Sequence, residues 1–175
     1  MHVVFMGVSG SGKSTVALSV AQSLGLPYAE ADGFHPEANI AKMSAGTPLT
    51  DEDRGPWLHT LADWIRGHEL RGETTLMACS ALKRSYRDIL RGGAPGVYFV
   101  HLDAPTEVIA ERLRARAGHF MPAGLLASQQ ATLEPLGDDE EGVTIDVSVP
   151  APQVAERALD AVAAVLGRRP APPQG

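Results

Sequence analysis

The segment that most constrains the fold of this chain is residues 7–15, Gly-Val-Ser-Gly-Ser-Gly-Lys-Ser-Thr. It fits the pattern G-x-x-x-x-G-K-[ST], in which backbone N–H groups wrap around the phosphates of a nucleoside triphosphate. The pattern predicts that Lys13 reaches the β- and γ-phosphates and that the Ser14 hydroxyl binds Mg²⁺. The residues expected to hold the nucleotide are Gly7, Ser9, Gly10, Ser11, Gly12, Lys13, Ser14 and Thr15.

The segments on either side of this loop support the same interpretation. Residues 2–6 form a short apolar run, which predicts a buried strand leading into the loop. Residues 16–24 carry apolar side chains at helical spacing, and Gly25 follows as a stop signal. The positive end of that helix would lie beside the phosphates. A glycine-rich turn without a ligand is the alternative, and it does not explain this context. We therefore expect the chain to bind a nucleoside triphosphate.

Length and composition limit the class of protein. A chain of 175 residues with 44% hydrophobic and 21% charged residues is typical of one globular domain. The net charge of −6 argues against a broad surface for nucleic acid. The single cysteine, Cys79, excludes an internal disulfide and fits a reducing compartment. No apolar run approaches the ~20 residues of a membrane span, and the chain starts directly in a strand. We expect a cytoplasmic protein without a membrane partner.

Strand and helix patterns alternate along the chain, which predicts an α/β fold. Strands are expected at residues 2–6, 27–31, 74–79, 97–102 and 143–147, and helices at 16–24, 35–44, 52–71, 83–91, 105–116, 122–132 and 152–166. A stripe of Trp57, Leu61 and Trp64, flanked by Leu58 and Ile65, is expected in the core. These patterns predict a five-stranded parallel sheet flanked by helices, with ligands at the carboxyl ends of the strands.

Asp32 is the candidate catalytic base. It follows the predicted second strand and therefore lies at the ligand-facing edge of the sheet. A kinase that acts on a hydroxyl needs a carboxylate to orient it and accept its proton. The third strand ends in Cys79 and Ser80, so it lacks the aspartate that often fills this role there. The alternative is that Asp32 only caps the helix that follows.

His35 and Arg54, which follow Asp32 in the sequence, are candidates for substrate binding. His35 precedes Pro36 and is equally consistent with a hydrogen bond to a substrate and with a cap on a turn. Arg54 comes directly after acidic residues at a predicted helix start. Acids are favoured there by the helix dipole, but a cation is not. An anion-binding role would explain why Arg54 occupies this position.

Two pairs of cationic residues have the spacing i, i+4, which places both members of a pair on one helix face. Lys83 and Arg87 would point toward the edge of the sheet that carries the loop, while Arg84 and Arg91 are expected to face solvent. A second pair, Arg112 and Arg116, leads into residues 117–120, where the helix breaks. Arginines in such a segment can neutralise the charge that develops in phosphoryl transfer. For both pairs, a solvated basic surface is the alternative.

Other patterns are uninformative or exclude a function. The acidic run at residues 138–141 lacks the spaced ligands and turn glycine of a calcium site, so we expect a solvated loop. The chain contains no Cys/His zinc pattern and no Asn-Lys-x-Asp segment. The latter absence argues against a guanine-specific GTPase.

Several segments together resemble the gluconate kinases (gluconokinases), a branch of the small P-loop kinases related to shikimate and nucleoside monophosphate kinases. The loop at residues 6–14 is widely shared. More specific are D-G-F-H-P at 32–36, G-T-P-L-T-D-E-D-R-G-P-W-L at 46–58 and C-S-A-L-K-R-S-Y-R-D at 79–88. Residues 112–120 look like the lid of that family. The resemblance extends from residue 4 to about residue 166.

The resemblance implies a nucleoside-monophosphate-kinase-like fold with a lid at about 112–135. Chain length predicts a single domain, which we place at residues 1–167, and residues 168–175 look like a disordered tail. The resemblance also implies ATP-dependent phosphorylation of D-gluconate to 6-phospho-D-gluconate, with ATP and Mg²⁺ at the loop, and such kinases often form homodimers. The implied catalytic residues are Lys13, Asp32, Arg112 and Arg116, and the implied substrate-binding residues are Asp32, His35, Arg54, Lys83, Arg87 and His119. A sibling kinase for shikimate or a nucleoside monophosphate, and a non-catalytic ATP-binding regulator, remain alternatives.

Overall fold

The computed structural model describes residues 1–115 and 123–167. Its strands are β1 (His2–Met6), β2 (Tyr28–Glu30), β3 (Thr75–Ala78), β4 (Val97–Asp103) and β5 (Gly142–Asp146). Its helices are α1 (Lys13–Leu24), a 3₁₀ helix (Ala31–Phe34), α2 (Glu37–Ser44), α3 (Asp51–Leu70), α4 (Arg84–Arg91), α5 (Thr106–Ala115), α6 (Ala123–Thr132) and α7 (Ala151–Gly167).

The described strands form one parallel sheet in the order β2-β3-β1-β4-β5. This confirms the predicted α/β class and the five-stranded parallel sheet. Strand β1 lies in the centre, and all five of its residues are buried. A strand in a parallel sheet is covered by helices on both faces, which explains its continuous apolar run. The loop that follows β1 therefore emerges at the middle of the carboxyl edge of the sheet.

Two apolar clusters cover the two faces of the sheet. One contains residues of α1, α5 and α7, and the other contains residues of α3 and α4. The predicted core stripe on α3 is confirmed, because Trp57, Leu58, Leu61 and Ile65 are buried and Trp64 is half-buried. Helix α3 starts at Asp51 because Thr50 caps it. The Thr50 hydroxyl accepts from the Asp53 N–H, and the Asp53 carboxylate accepts from the Thr50 N–H.

The prediction of a solvated acidic loop at residues 138–141 is wrong for Glu140. Its side chain is 0% exposed and accepts hydrogen bonds from Arg87 and Arg91 of α4. Asp139 accepts two hydrogen bonds from Arg84 at 2.7 and 2.6 Å. Arg84 and Arg91, predicted to face solvent, are therefore half-buried against this run. A buried carboxylate requires cationic partners, and α4 supplies them.

Part of the expected lid, residues 116–122, and the whole of the expected tail, residues 168–175, lie outside the described residues. The domain limits of 1–167 remain a prediction. Among the helices of the described ranges, none has the length and apolar character needed to cross a membrane.

Candidate active site

The phosphate-binding loop joins β1 to α1 and requires glycine at two positions for steric reasons. Gly7 has φ +149°, and a Cβ there would lie 2.7 Å from the carbonyl oxygen of Leu102. Gly10 has φ +84°, and a Cβ there would lie 2.7 Å from Cγ of Leu113 in α5. Both φ values lie in the region that favours glycine. The loop is therefore curved and tightly packed against its neighbours.

The loop and the start of α1 fit an anionic ligand. No side chain caps α1 at Gly12, and the N-terminus of a helix attracts anions. Ser11 is buried, and within the described residues its hydroxyl has no hydrogen-bond partner. Ser14 and Thr15 are exposed in the first turn of the helix, and Lys13 is half-buried. An orphaned hydroxyl inside a curled loop is the arrangement expected where phosphate oxygens would enter.

The donor set also suits Mg²⁺ bound mainly through a nucleotide. In the described part of the chain, no three His, Cys, Asp or Glu side chains group as a metal cage would require. Magnesium usually keeps several waters and takes ligands from phosphates together with one or two protein oxygens. The exposed hydroxyl of Ser14 beside the loop is one such oxygen.

Asp32 lies in the 3₁₀ helix directly after β2, and its side chain is 80% exposed. The N-cap positions of this helix and of α2 are Glu30 and Pro36, so Asp32 caps neither. Burial raises the pKa of the Cys79 thiol to about 12, with a smaller upward effect of Asp32 and a downward effect of Lys13. The charges of Asp32 and Lys13 therefore both influence the thiol of Cys79, which directly follows β3. The structure places Asp32 at the same edge of the sheet as the phosphate-binding loop.

His35 is held beside Asp32 by packing and by Asn39. Its ring stacks on Trp57 at a centroid distance of 4.2 Å, and its Nε2 lies 3.9 Å from an Asp32 oxygen. Burial lowers the pKa of His35, despite the opposing effect of Asp32, and this favours the neutral ring. The Asn39 amide nitrogen donates to the Asp53 carbonyl at 3.0 Å and lies 3.3 Å from Nδ1 of His35. Since Nδ1 accepts, the ring proton lies on Nε2 and faces Asp32.

Arg54 and Lys83, predicted on the acceptor side, come together around Tyr86. The cationic groups of both lie 5.6 Å from the centre of its ring. Arg54 Nη1 donates to the Leu49 carbonyl at 2.8 Å and to the Tyr86 hydroxyl at 3.2 Å. The Tyr86 hydroxyl donates to Asp51 at 2.5 Å, and Lys83 Nζ lies 3.1 Å from both Asp51 oxygens. We call Asp51, Arg54, Lys83 and Tyr86 the acceptor cluster.

The structure contradicts the prediction that Arg87 binds the substrate. Its side chain is 0% exposed, and it donates to both oxygens of Glu140, at 2.6 Å and 3.0 Å. Its remaining donors contact the carbonyls of Ala81, Leu82 and Pro135. A guanidinium whose donors are all used inside the protein cannot also bind a substrate carboxylate. The i, i+4 spacing places Lys83 and Arg87 on one helix face, but of the two only Lys83 is partly exposed.

Of the three remaining predicted residues, the structure describes only Arg112. Arg112 is half-buried and donates to the Val149 carbonyl, in the segment between β5 and α7, at 3.3 Å. Its predicted role toward the phosphates stays a prediction. Arg116 and His119 lie outside the described residues.

The sequence patterns missed three residues near these sites. Tyr86 and Asp51 lie 35 positions apart, and only the packing of α3 against α4 brings them together. Gln129 of α6 contacts Ser9 of the loop across 120 positions of sequence. No local pattern predicts a contact between residues so far apart.

A sheet in this strand order, with a phosphate-binding loop after its central strand, is the architecture of a small P-loop kinase. A family model described as an AAA domain matches residues 3–136. A gluconokinase of Gluconobacter oxydans (strain 621H) is 53% identical over 143 residues, which cover 82% of this chain and 80% of that protein. The thermosensitive gluconokinase of Escherichia coli (strain K12) is 46% identical over 167 residues, covering 95% and 89%. The chain belongs to the gluconokinase family.

A solved structure agrees with this assignment. An unliganded sugar kinase from Janibacter sp. HTCC2649 has a TM-score of 0.87 and 57% identity, covering 93% of this chain and 94% of that one. The resemblance found in the motifs is therefore confirmed, and so is the P-loop kinase fold. The relatives support an ATP-using kinase of this family, and they do not support the shikimate or nucleoside monophosphate alternative.

Proposed function

We propose that this chain transfers the γ-phosphoryl group of ATP to the 6-hydroxyl of D-gluconate, producing 6-phospho-D-gluconate. The observation that carries the substrate assignment is the convergence of Arg54 and Lys83 on Tyr86. A sugar acid differs from a neutral sugar by its carboxylate, and a preference for it requires fixed cations. The gluconokinases among the relatives support the same substrate.

On the donor side, the phosphates of ATP would lie in the loop, on the N–H groups at the start of α1. Lys13 would contact the β- and γ-phosphates, and the Ser14 hydroxyl would hold Mg²⁺. When bound, Mg²⁺ would supply charge neutralisation across the phosphates. Arg112 and Arg116 are proposed to balance the charge on the transferred group, and His119 to contact the substrate.

At the reacting centre, Asp32 would orient the 6-hydroxyl and accept its proton. Its exposure at the carboxyl edge of the sheet leaves the carboxylate accessible to a substrate. His35, neutral and with its proton on Nε2, would act as a neighbouring donor that positions the carboxylate or the sugar. The stack on Trp57 limits the ring to one orientation.

On the acceptor side, Arg54 and Lys83 would bind the gluconate carboxylate. Both hydrogen bonds that Arg54 makes to described residues come from Nη1, which leaves Nη2 and Nε as candidate donors. Asp51 forms an ion pair with Lys83, so the lysine would exchange one carboxylate for another. Arg87 has no direct part in this step.

A substrate panel with ATP tests the proposal. ADP release should be fast with gluconate and much slower with glucose, shikimate or nucleoside monophosphates. Lys13→Ala should abolish turnover and leave the thermal midpoint close to that of the unmodified protein, because Lys13 acts on the phosphates. Nucleotide binding without turnover of any acceptor would support the regulator alternative. Equal kcat/KM for glucose and gluconate would show that the carboxylate site is misassigned.

We also propose that the enzyme is a cytoplasmic homodimer. The one cysteine of the sequence, Cys79, is a buried free thiol, which fits a reducing compartment. Light scattering coupled to size-exclusion chromatography would test the oligomeric state. A monomer mass across a hundredfold range of concentration would contradict the dimer.

A further inference from the structure

One side chain of α6 holds the phosphate-binding loop. The N–H of Ser9 donates to Oε1 of Gln129 at 2.7 Å, and Nε2 of Gln129 donates to the Ser9 hydroxyl at 3.3 Å. Gln129 is half-buried. A single amide therefore makes two hydrogen bonds to a single loop residue, and these involve both its acceptor and its donor end.

The position of Ser9 in the loop gives this contact its importance. Ser9 lies between Gly7 and Gly10, two of the three loop glycines whose φ is positive. The orientation of the Ser9 peptide therefore affects the direction in which the following N–H groups point. The Ser9 N–H itself is directed to Gln129, so it is withheld from a phosphate in this arrangement.

A second element, α5, also packs against the loop. A Cβ on Gly10 would lie 2.7 Å from Leu113 and 3.2 Å from Ile109, so the α-carbon already packs against both side chains. The loop is thus fixed by apolar packing on α5 and by a polar contact from α6. Of the two, only the contact from Gln129 bears on the orientation of a peptide unit.

We propose that Gln129 is a positioning residue of the nucleotide site, which sets the Ser9 peptide and keeps an uncharged group beside the phosphates. This inference rests on the proposed binding of ATP at the loop. A carboxylate of the same shape would accept from the Ser9 N–H as well as the amide does. It would also place a negative charge close to a polyanion. A neutral amide accepts from the Ser9 N–H and adds no negative charge beside the phosphates.

Isothermal titration calorimetry of adenosine, AMP, ADP and ATP with Gln129→Glu and with the unmodified protein tests the proposal. The affinity for adenosine should be unchanged, and the loss should grow with each phosphate to about tenfold for ATP. Gln129→Ala should lower kcat/KM for ATP several-fold and leave the KM for gluconate unchanged. Gln130→Ala, one residue further along α6, is the matched control and should behave as the unmodified protein.

Two results would overturn the inference: unchanged ATP affinity in Gln129→Glu, or an equal loss for adenosine and ATP. The latter would indicate a structural role without a link to the phosphates. If Gln129→Glu does not fold, the same nucleotide series on Gln129→Ala decides, since its loss should also be larger for ATP than for adenosine. Failure of the unmodified protein to bind ATP would instead contradict the proposed function.

Discussion

Arg87 and Glu140 form an ion pair in which both side chains are 0% exposed, with Arg87 Nε 2.6 Å from Glu140 Oε2. The pair joins α4 to the segment that precedes β5. Arg87 Nη1 also donates to the carbonyls of Ala81 and Leu82, at 2.9 and 3.2 Å. Ala81 has φ +46°, an unfavourable conformation for a residue with a side chain. Arg87 therefore stabilises the turn that leads to Lys83, a member of the acceptor cluster.

Arg87→Met should destabilise the protein by about 3–5 kcal/mol, because it leaves Glu140 buried without its main partner. Urea denaturation at neutral pH measures the change in the free energy of unfolding. Arg66→Met is the control, since Arg66 pairs with the exposed Asp63 on the surface of α3 and its loss should cost much less. Equal effects of the two substitutions would show that burial of the Arg87 pair is energetically unimportant.

Glu140→Gln should change how stability depends on pH. Burial acts to raise the pKa of Glu140, but hydrogen bonds from Arg87 and Arg91 outweigh it and bring the pKa to about 2, from an ordinary 4.5. The unfolded chain therefore takes up this proton at higher pH than the folded one. The contribution is fully present above about pH 4.5 and is lost as the pH falls to about 2, at up to ~1.4 kcal/mol per pH unit.

The difference in unfolding free energy between the unmodified protein and Glu140→Gln should thus shrink below about pH 4.5. Denaturation at about pH 7, 5, 4 and 3 measures it. A difference that stays constant over this range would mean that Glu140 titrates normally in the folded protein.

Asp32→Asn should lower kcat by ~10²–10⁴-fold with little change in the KM for ATP, because a general base acts on the acceptor hydroxyl alone. Steady-state kinetics at saturating gluconate provide the measurement. Asp160→Asn, an exposed position on α7, serves as the control for a lost surface charge. Retention of most of the kcat by Asp32→Asn would rule out the base assignment.

Arg54→Ala should raise the KM for gluconate roughly ten- to a hundredfold, with a much smaller effect on the KM for ATP. The loss of one charge-assisted contact costs ~1.5–3 kcal/mol. Arg66→Ala lies on the same helix α3 in an exposed pair with Asp63 and should leave both constants unchanged. If Arg54→Ala changed only the KM for ATP, the acceptor cluster would be a binding site for ATP and not for gluconate.

Tyr86→Phe should raise the KM for gluconate several-fold, since the ring remains while the hydroxyl that orders Asp51 and Arg54 is lost. The comparison of KM values for gluconate and ATP checks this expectation. The thermal midpoint should change little, because the apolar packing of the ring is retained. A fall in kcat at unchanged KM would assign Tyr86 to the chemical step instead.

The strands, the phosphate-binding loop and the placement of Asp32 could be predicted because each depends on residues close together in the sequence. The run before the loop is apolar because β1 is covered on both faces, and Gly7 and Gly10 are glycines because of their backbone conformation. Asp32 follows a strand, and all parallel strands end at the same edge of the sheet. Local periodicity also placed Lys83 and Arg87 on one helix face.

Only the tertiary structure decided which end of that face is open to a ligand. Arg87 is buried because Glu140 reaches it from 53 positions away, whereas Lys83 stays partly exposed and pairs with Asp51 of α3. Gln129 meets Ser9 for the same kind of reason. By itself, the amino-acid sequence determined the class of site and the order of the elements. The partners of individual charges were decided by long-range packing, because the cost of a buried charge depends on groups that local sequence does not specify.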